Sequence, residues 1–249
     1  MRNIITGVII AAIVGLLGFA TWKIFDGNSK MTNFNAIDFY SVIEPSDNNG
    51  NIGDHVKGNL DTAKIILFEY ADYQCPGCAG MNIKVNKAIE QSEGKIALVY
   101  RSFLLSYHQN GTAAASAAEA AGLQGYWKPF ADLLFANQSE WEYSSPSERK
   151  EFFTNYFKEA TEGKGDVDKF LSDIGSPSVK KKIDFDMGIG KRIDVGGTPS
   201  FYTEGQFLDW SQPGSITING KTITWDKGMG AEEDFIKLLN DILAAKEGN

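Results

Sequence analysis

Cys75 and Cys78 are the only cysteines in 249 residues, and they lie where one periodicity gives way to another. Ahead of them, Lys64-Ile65-Ile66-Leu67-Phe68-Glu69-Tyr70 has the length and the apolar, β-branched and aromatic character of a strand. Behind them, Cys78, Met81, Val85, Ala88 and Ile89 recur at helical spacing, and Pro76 suits a first helical position, where its missing N–H costs nothing. The order is strand, tight turn, Cys-x-x-Cys, helix. That placement says far more than the four-residue pattern, because it sets two sulfurs at the start of a helix, where a redox dithiol belongs.

Composition narrows the partners. A net charge of -8 argues against nucleic acid as a partner. A zinc site would need two further ligands, and the only histidines, His55 and His108, are far from the cysteines and from each other in sequence. Ile4 to Trp22 is uncharged and mostly aliphatic, flanked by Arg2 and Lys23. At ~1.5 Å per residue such a helix spans ~28 Å, close to the hydrocarbon thickness of a bilayer. Residues 1–24 are therefore expected to be a transmembrane signal anchor holding the rest of the chain outside the cytosol. The competing expectation is a cleaved signal peptide, for which Gly18-Phe19-Ala20 supplies the small residues of a cleavage site. Both put the cysteines where disulfides form and persist.

Residues 25–60, rich in Asn, Asp, Gly and Ser, read as a polar tether with a possible first strand at Ile52 to Val56. The strand ending at Tyr70, a helix to about Ser92 and a strand at Lys95 to Arg101 form a β-α-β unit, so a parallel pair is expected. From 106 to 193 the pattern is helical. An alanine-dense stretch covers Thr112 to Gln124, and Ser145-Pro146-Ser147-Glu148 joins a capping box to a first-turn proline. Gly196 to Tyr202 returns to strand character, Asn219-Gly220 signals a hairpin, and Ala231 to Ala245 is an amphipathic helix. The fold class is α/β: a sheet domain made of 61–105 and 194–249, interrupted by a helical insertion at 106–193.

With these residues in view, roughly His55 to Ala245 resembles the DsbA family of thiol-disulfide oxidoreductases, within the thioredoxin superfamily. The resemblance rests on Glu69 through Cys78, on Gly197-Thr198-Pro199-Ser200-Phe201, and on the helical block opened by His108-Gln109-Asn110. It implies a thioredoxin-like fold with an inserted helical domain, and Cys75 and Cys78 as the catalytic pair. It further implies a cis Thr198–Pro199 bond, with both residues against the disulfide to dock a substrate peptide. Strongly oxidising members often carry a histidine after the proline of the motif. Here the turn is Pro76-Gly77, and Gly77 has no side chain with which to help.

The chemistry follows from the helix start. Only a thiolate attacks a disulfide, and the free N–H groups and positive dipole end of a helix N-terminus favour the anion. Stabilising the reduced thiolate makes the disulfide a better oxidant. Glu69, in a strand apolar on both parities, is expected to be buried, with a raised pKa that suits it to relay a proton with Cys78. His108, a lone histidine, is expected to be structural or exposed, with a direct catalytic role as the alternative. The expected activity is an extracytoplasmic oxidase that introduces disulfides into exported cysteine-containing proteins. It needs no cofactor beyond the Cys75–Cys78 disulfide, and a quinone-linked membrane protein reoxidises it. A reductase or isomerase is the alternative, and a non-catalytic binding protein with Cys75–Cys78 as a staple is another. So short a loop would gain little from stapling.

Overall fold

In a computed structural model, the protein is described for residues 34–47 and 50–248. The expected anchor at Ile4 to Trp22 lies outside the described residues. Of the N-terminal unit, residues 1–36, a single 3₁₀ turn at Phe34–Ala36 is described; a second compact unit begins at Ile37.

In that second unit the chain runs β1 (His55–Lys57), β2 (Ile65–Ala71), α1 (Pro76–Gln91), β3 (Ile96–Ser102), α2 (Gly111–Gly122), α3 (Trp127–Ala136), α4 (Gln138–Trp141), α5 (Pro146–Ala160), α6 (Val167–Asp173), α7 (Pro177–Arg192), β4 (Ser200–Thr203), β5 (Gln206–Leu208), β6 (Gly214–Ile218), β7 (Lys221–Trp225) and α8 (Glu232–Glu247). The main sheet has the order β1-β3-β2-β4-β5. β2 lies in its centre, parallel to β3 from Ile65↔Ile96 to Ala71↔Ser102, and antiparallel to β4 through Glu69↔Phe201. The β-α-β expectation is met. Strand β2 is apolar on both parities because both of its faces are covered. On one face Leu67, Leu98 and Phe201 pack with Met81 and Val85 of α1 and Leu239 of α8. On the other, Gly190 of α7 comes so close to Phe103 that a Cβ there would stand 2.5 Å from the ring.

The helices between β3 and β4 build a second core, which also takes in Ala71, Tyr73, Cys78 and Tyr100. Six alanines of α2 (Ala114, Ala115, Ala117, Ala118, Ala120 and Ala121) are buried, and the small side chains let the neighbouring helices approach on several sides at once. Ser145 caps α5 with the full capping box, and Asp166 and Ser176 cap α6 and α7. Asn219 and Gly220, both at positive φ, make the two-residue turn of the β6–β7 hairpin. That hairpin forms a separate two-stranded sheet, and β5 and α4 are short additions that the sequence pattern does not reveal.

One expectation needs correcting. From residue 37 onward, the stretch expected to be mostly tether is bound to the sheet. Arg101, fully buried on the α7 face, needs acceptors for its guanidinium. It takes them from Phe39 O (2.6 Å), Ser41 O (2.7 Å) and the Asp54 carboxylate (2.8 Å). Lys182 closes the cluster, pairing with Asp54 (3.1 Å) and Asp186 (2.6 Å). Two cations and two anions are buried together, which keeps the charges paired. The first strand is accordingly His55–Lys57, later than Ile52 to Val56, with Ile52 buried just before it.

Candidate active site

Cys75 is the N-cap of α1, in an extended conformation, and Pro76 takes the first helical position. Ala79 N donates to Cys75 O (3.1 Å), so the helix starts at the cysteine itself. Cys78 lies one turn further in and is completely buried, whereas Cys75 keeps a small exposed surface. The two sulfurs consequently differ. The Cys78 thiol donates to Cys75 and is the largest influence holding the Cys75 pKa down, at about 5. Burial opposes this, while the Thr198 side chain and the backbone N–H groups of Cys78 and Gly77 add to it. Cys78 is pushed the other way, first by burial, then by its hydrogen bond to Cys75 and the nearby charges of Cys75 and Glu69.

The Thr198–Pro199 bond is cis, and Cys75 Sγ donates to Thr198 O at 3.3 Å. In this thiol state the Thr198 hydroxyl oxygen is buried without a protein partner; facing a thiolate, it is free to donate to the sulfur. Trp210 Nε1 donates to Pro199 O (2.8 Å), and an open groove runs past Gly197, Thr198, Pro199, Tyr202, Phe207 and Trp210. Gly77 faces the same place. A Cβ on it would lie 3.3 Å from Pro199 Cδ and 3.7 Å from Cys75 Sγ, so any side chain at 77 would stand over the sulfur.

Glu69 sits in the middle of β2, 2% exposed, and its Oε1 has no protein partner. Burial raises its pKa to about 7, against the pull of the Lys57 charge and with a further push from Cys75. The register sets Lys57 opposite Leu98, and Leu98 opposite Leu67, which puts Lys57 and Glu69 on the same face. The Lys57 ammonium nevertheless donates to Asn82 (2.5 Å), Asn86 (3.1 Å) and Asp132 (2.6 Å).

The turn before Cys75 is fastened by side chains to which the sequence assigns no such role. The buried Asp72 carboxylate accepts from Gln74 N, Leu105 N and His108 Nδ1, each at 2.9 Å. A Cβ on Gly111 would meet that carboxylate at 2.7 Å, which is why α2 opens with glycine there. His108 thus holds the turn from the side, as a structural histidine does. Gln74 donates to Glu142 O (2.7 Å) and accepts from Asn110 N (2.6 Å). Gln138 donates to both Tyr73 O (2.6 Å) and Cys75 O (3.0 Å). The sequence signal at these positions is only Asn137-Gln138-Ser139, a glycosylation pattern that carries no trace of this contact. Among the described residues, no group of three or more His, Cys, Asp or Glu side chains gathers as metal ligands, and no helix is long and apolar enough to cross a membrane.

Comparison with known proteins extends this picture. Residues 50–231 match the family described as Thioredoxin. An Na(+)/H(+) antiporter NhaA from Herminiimonas arsenicoxydans is 29% identical over 208 residues, covering 83% of this chain and 31% of that protein. The chain spans about a quarter to a third of the length of the curated relatives it matches. Among solved structures, oxidised BdbD from Bacillus subtilis superposes with a TM-score of 0.59 at 16% identity, covering 82% of this chain and 98% of that one. The thiol-disulfide exchange protein alpha-DsbA2 from Wolbachia pipientis gives 0.56 at 16% identity, covering 76% and 87%. At these identities the structural likeness is one of fold, while the family match runs through the β2–dithiol–α1 unit and the whole helical block. The chain belongs to the thioredoxin family, and its helices inserted between β3 and β4 give it the DsbA-like form of that fold.

Proposed function

We propose that the protein is an extracytoplasmic thiol-disulfide oxidoreductase working as an oxidase through Cys75 and Cys78. The observation that carries this reading is the unequal setting of the two sulfurs: Cys75 at the helix start beside the cis Thr198–Pro199 bond with a small exposed surface, Cys78 completely buried one turn in, which favours thiolate at the first and thiol at the second. A pair so biased has one good leaving group facing the substrate and one sulfur that must be protonated as it is released.

A substrate thiolate attacks Cys75 Sγ of the oxidised enzyme. The Cys75–Cys78 bond breaks, its electron pair goes to Cys78, and the Glu69 carboxyl supplies the proton. The substrate is then joined to Cys75 by a mixed disulfide, lying along the Thr198–Pro199 edge as an added strand would. A second substrate thiolate attacks the bridging substrate sulfur, and Cys75 departs as a thiolate facing the Gly77 and Cys78 amides. The substrate leaves oxidised and both enzyme sulfurs are reduced, so an electron acceptor must restore the disulfide. A quinone-linked membrane protein fits that role, and the apolar segment at Ile4 to Trp22 would hold the enzyme near it. The substrates are exported proteins with paired cysteines.

Mixing the oxidised full chain with a reduced dithiol peptide tests this directly. One peptide disulfide should form per enzyme disulfide consumed, with a peptide–Cys75 adduct trapped on acid quenching. An enzyme disulfide that persists in the presence of reduced peptide would sink the oxidase reading.

A further inference from the structure

The start of α1 is not fastened by its own N-cap side chain. Cys75 occupies the N-cap, and as a thiol its sulfur makes no cap hydrogen bond to a first-turn amide but donates to Thr198 O, so the Gly77 and Cys78 amides serve the sulfur only as a thiolate. Serine, threonine, asparagine and aspartate hold a helix start by such a bond. Something else must hold the turn, since the amides of Gly77 and Cys78 help the sulfur only while they stay aimed at it.

Gln138, the first residue of α4 and 8% exposed, is placed to do this. Its Nε2 sends one hydrogen to Tyr73 O (2.6 Å) and the other to Cys75 O (3.0 Å), so a single amide group fastens the carbonyls on either side of Gln74. Cys75 O is also the acceptor of the first helical hydrogen bond, from Ala79 N. Fixing that carbonyl fixes the plane from which α1 departs. The neighbouring contacts hold α4 in register: Gln74 reaches Glu142 O, and Asn110 Nδ2 shares its two hydrogens among Trp141 O, Glu142 O and Ser144 O at 3.0 to 3.1 Å.

We propose that Gln138 is a positioning residue for the Cys75 sulfur, through which the inserted helices govern how strongly the dithiol pulls electrons. The inference rests on the redox reading of Cys75 and Cys78 and adds a determinant from outside the motif. Without the amide, the Tyr73 and Cys75 carbonyls lose a donor and the first turn of α1 loosens beneath the sulfur. The positive end of the helix then faces the thiolate less squarely. A carboxylate at 138 goes further, because it sets a negative charge against two carbonyl oxygens beside the anion.

The test is the titration of the reduced chain, following thiolate absorbance in the ultraviolet, in the unsubstituted sequence and in Gln138→Leu, Gln138→Glu and Gln138→Asn. The Cys75 midpoint should rise by about one pH unit in Q138L and Q138N, and by more in Q138E. The equilibrium with glutathione should shift about tenfold towards the oxidised enzyme, which corresponds to ~30 mV. A residue that only packs α4 would lower the unfolding temperature and leave the midpoint alone; that result overturns the proposal. Should Q138L fail to fold, Q138N and Q138E, which keep a polar side chain, carry the same comparison. If the unsubstituted protein fails to exchange disulfides at all, the redox reading falls, while a Cys75 midpoint that still follows residue 138 upholds the positioning role.

Discussion

Cys75→Ser is expected to abolish oxidation of a dithiol peptide, and Cys78→Ser to abolish turnover while leaving a sulfur that still reacts. The two single variants are chemically unequal because the fold treats the sulfurs unequally. At pH 6 the Cys75 thiolate, with a pKa held near 5, is well populated, while Cys78, buried and pushed upward, is almost wholly thiol. Cys78→Ser puts a hydroxyl, itself a donor, where the thiol that most lowers Cys75 stood, so the bias on Cys75 is kept together with the Thr198 and backbone contributions. Alkylation at pH 6 should still be on the order of 10²-fold faster for C78S than for C75S. Equal alkylation rates would mean that the helix start does not discriminate between the sulfurs.

Glu69→Gln should make the protein more stable and slower at once. The folded pKa of about 7 stands above the ordinary 4.5 because burial penalises the charged form. A carboxyl raised in this way binds more protons folded than unfolded, so its contribution to stability falls as pH rises from about 4.5 to about 7. Glutamine is uncharged at every pH and escapes that loss. The variant should gain about 3 kcal/mol above pH 7, and the gain should vanish below pH 4.5. Denaturant unfolding of the reduced proteins at pH 4.5 and pH 8 measures both ends. Catalysis runs the other way: with no carboxyl to protonate the departing Cys78, oxidation should slow by on the order of 10²-fold. A variant destabilised at pH 8, or as fast as the native enzyme, would remove Glu69 from the relay.

The parts of the fold that were legible in the sequence are those written in local pattern. The apolar run at Ile65 to Tyr70, the spacing of Met81 and Val85, the Ser145 capping box and the Asn219-Gly220 turn each state their own conformation. The site was legible for the same reason, since strand, dithiol and helix are contiguous, and Thr198-Pro199 announces itself by its proline. What could not be read is held together across the chain. Nothing local marks Arg101 as a buried cation whose acceptors come from Phe39 and Ser41, so residues 37–60 resembled a tether. Nothing marks Gln138 as the donor to Tyr73 and Cys75, because a glutamine after an asparagine looks the same on any surface. Lys57 was likewise invisible as a partner of Asp132, 75 residues away. Polar side chains buried by long-range pairing leave no periodicity, and the active turn is fastened mostly by such side chains.

The direction of electron flow is the central claim, and the reduction potential of the Cys75–Cys78 pair tests it most directly. Reference values of about -120 mV for a strong oxidant of this fold and about -270 mV for a reductant bracket the outcome. Stabilisation of the Cys75 thiolate raises the potential by ~30 mV for each ~1.4 kcal/mol by which the reduced form is favoured. Equilibration of the full chain against a glutathione series is expected to place the pair nearer -120 mV. A value near -270 mV would contradict the account and make the protein a reductase.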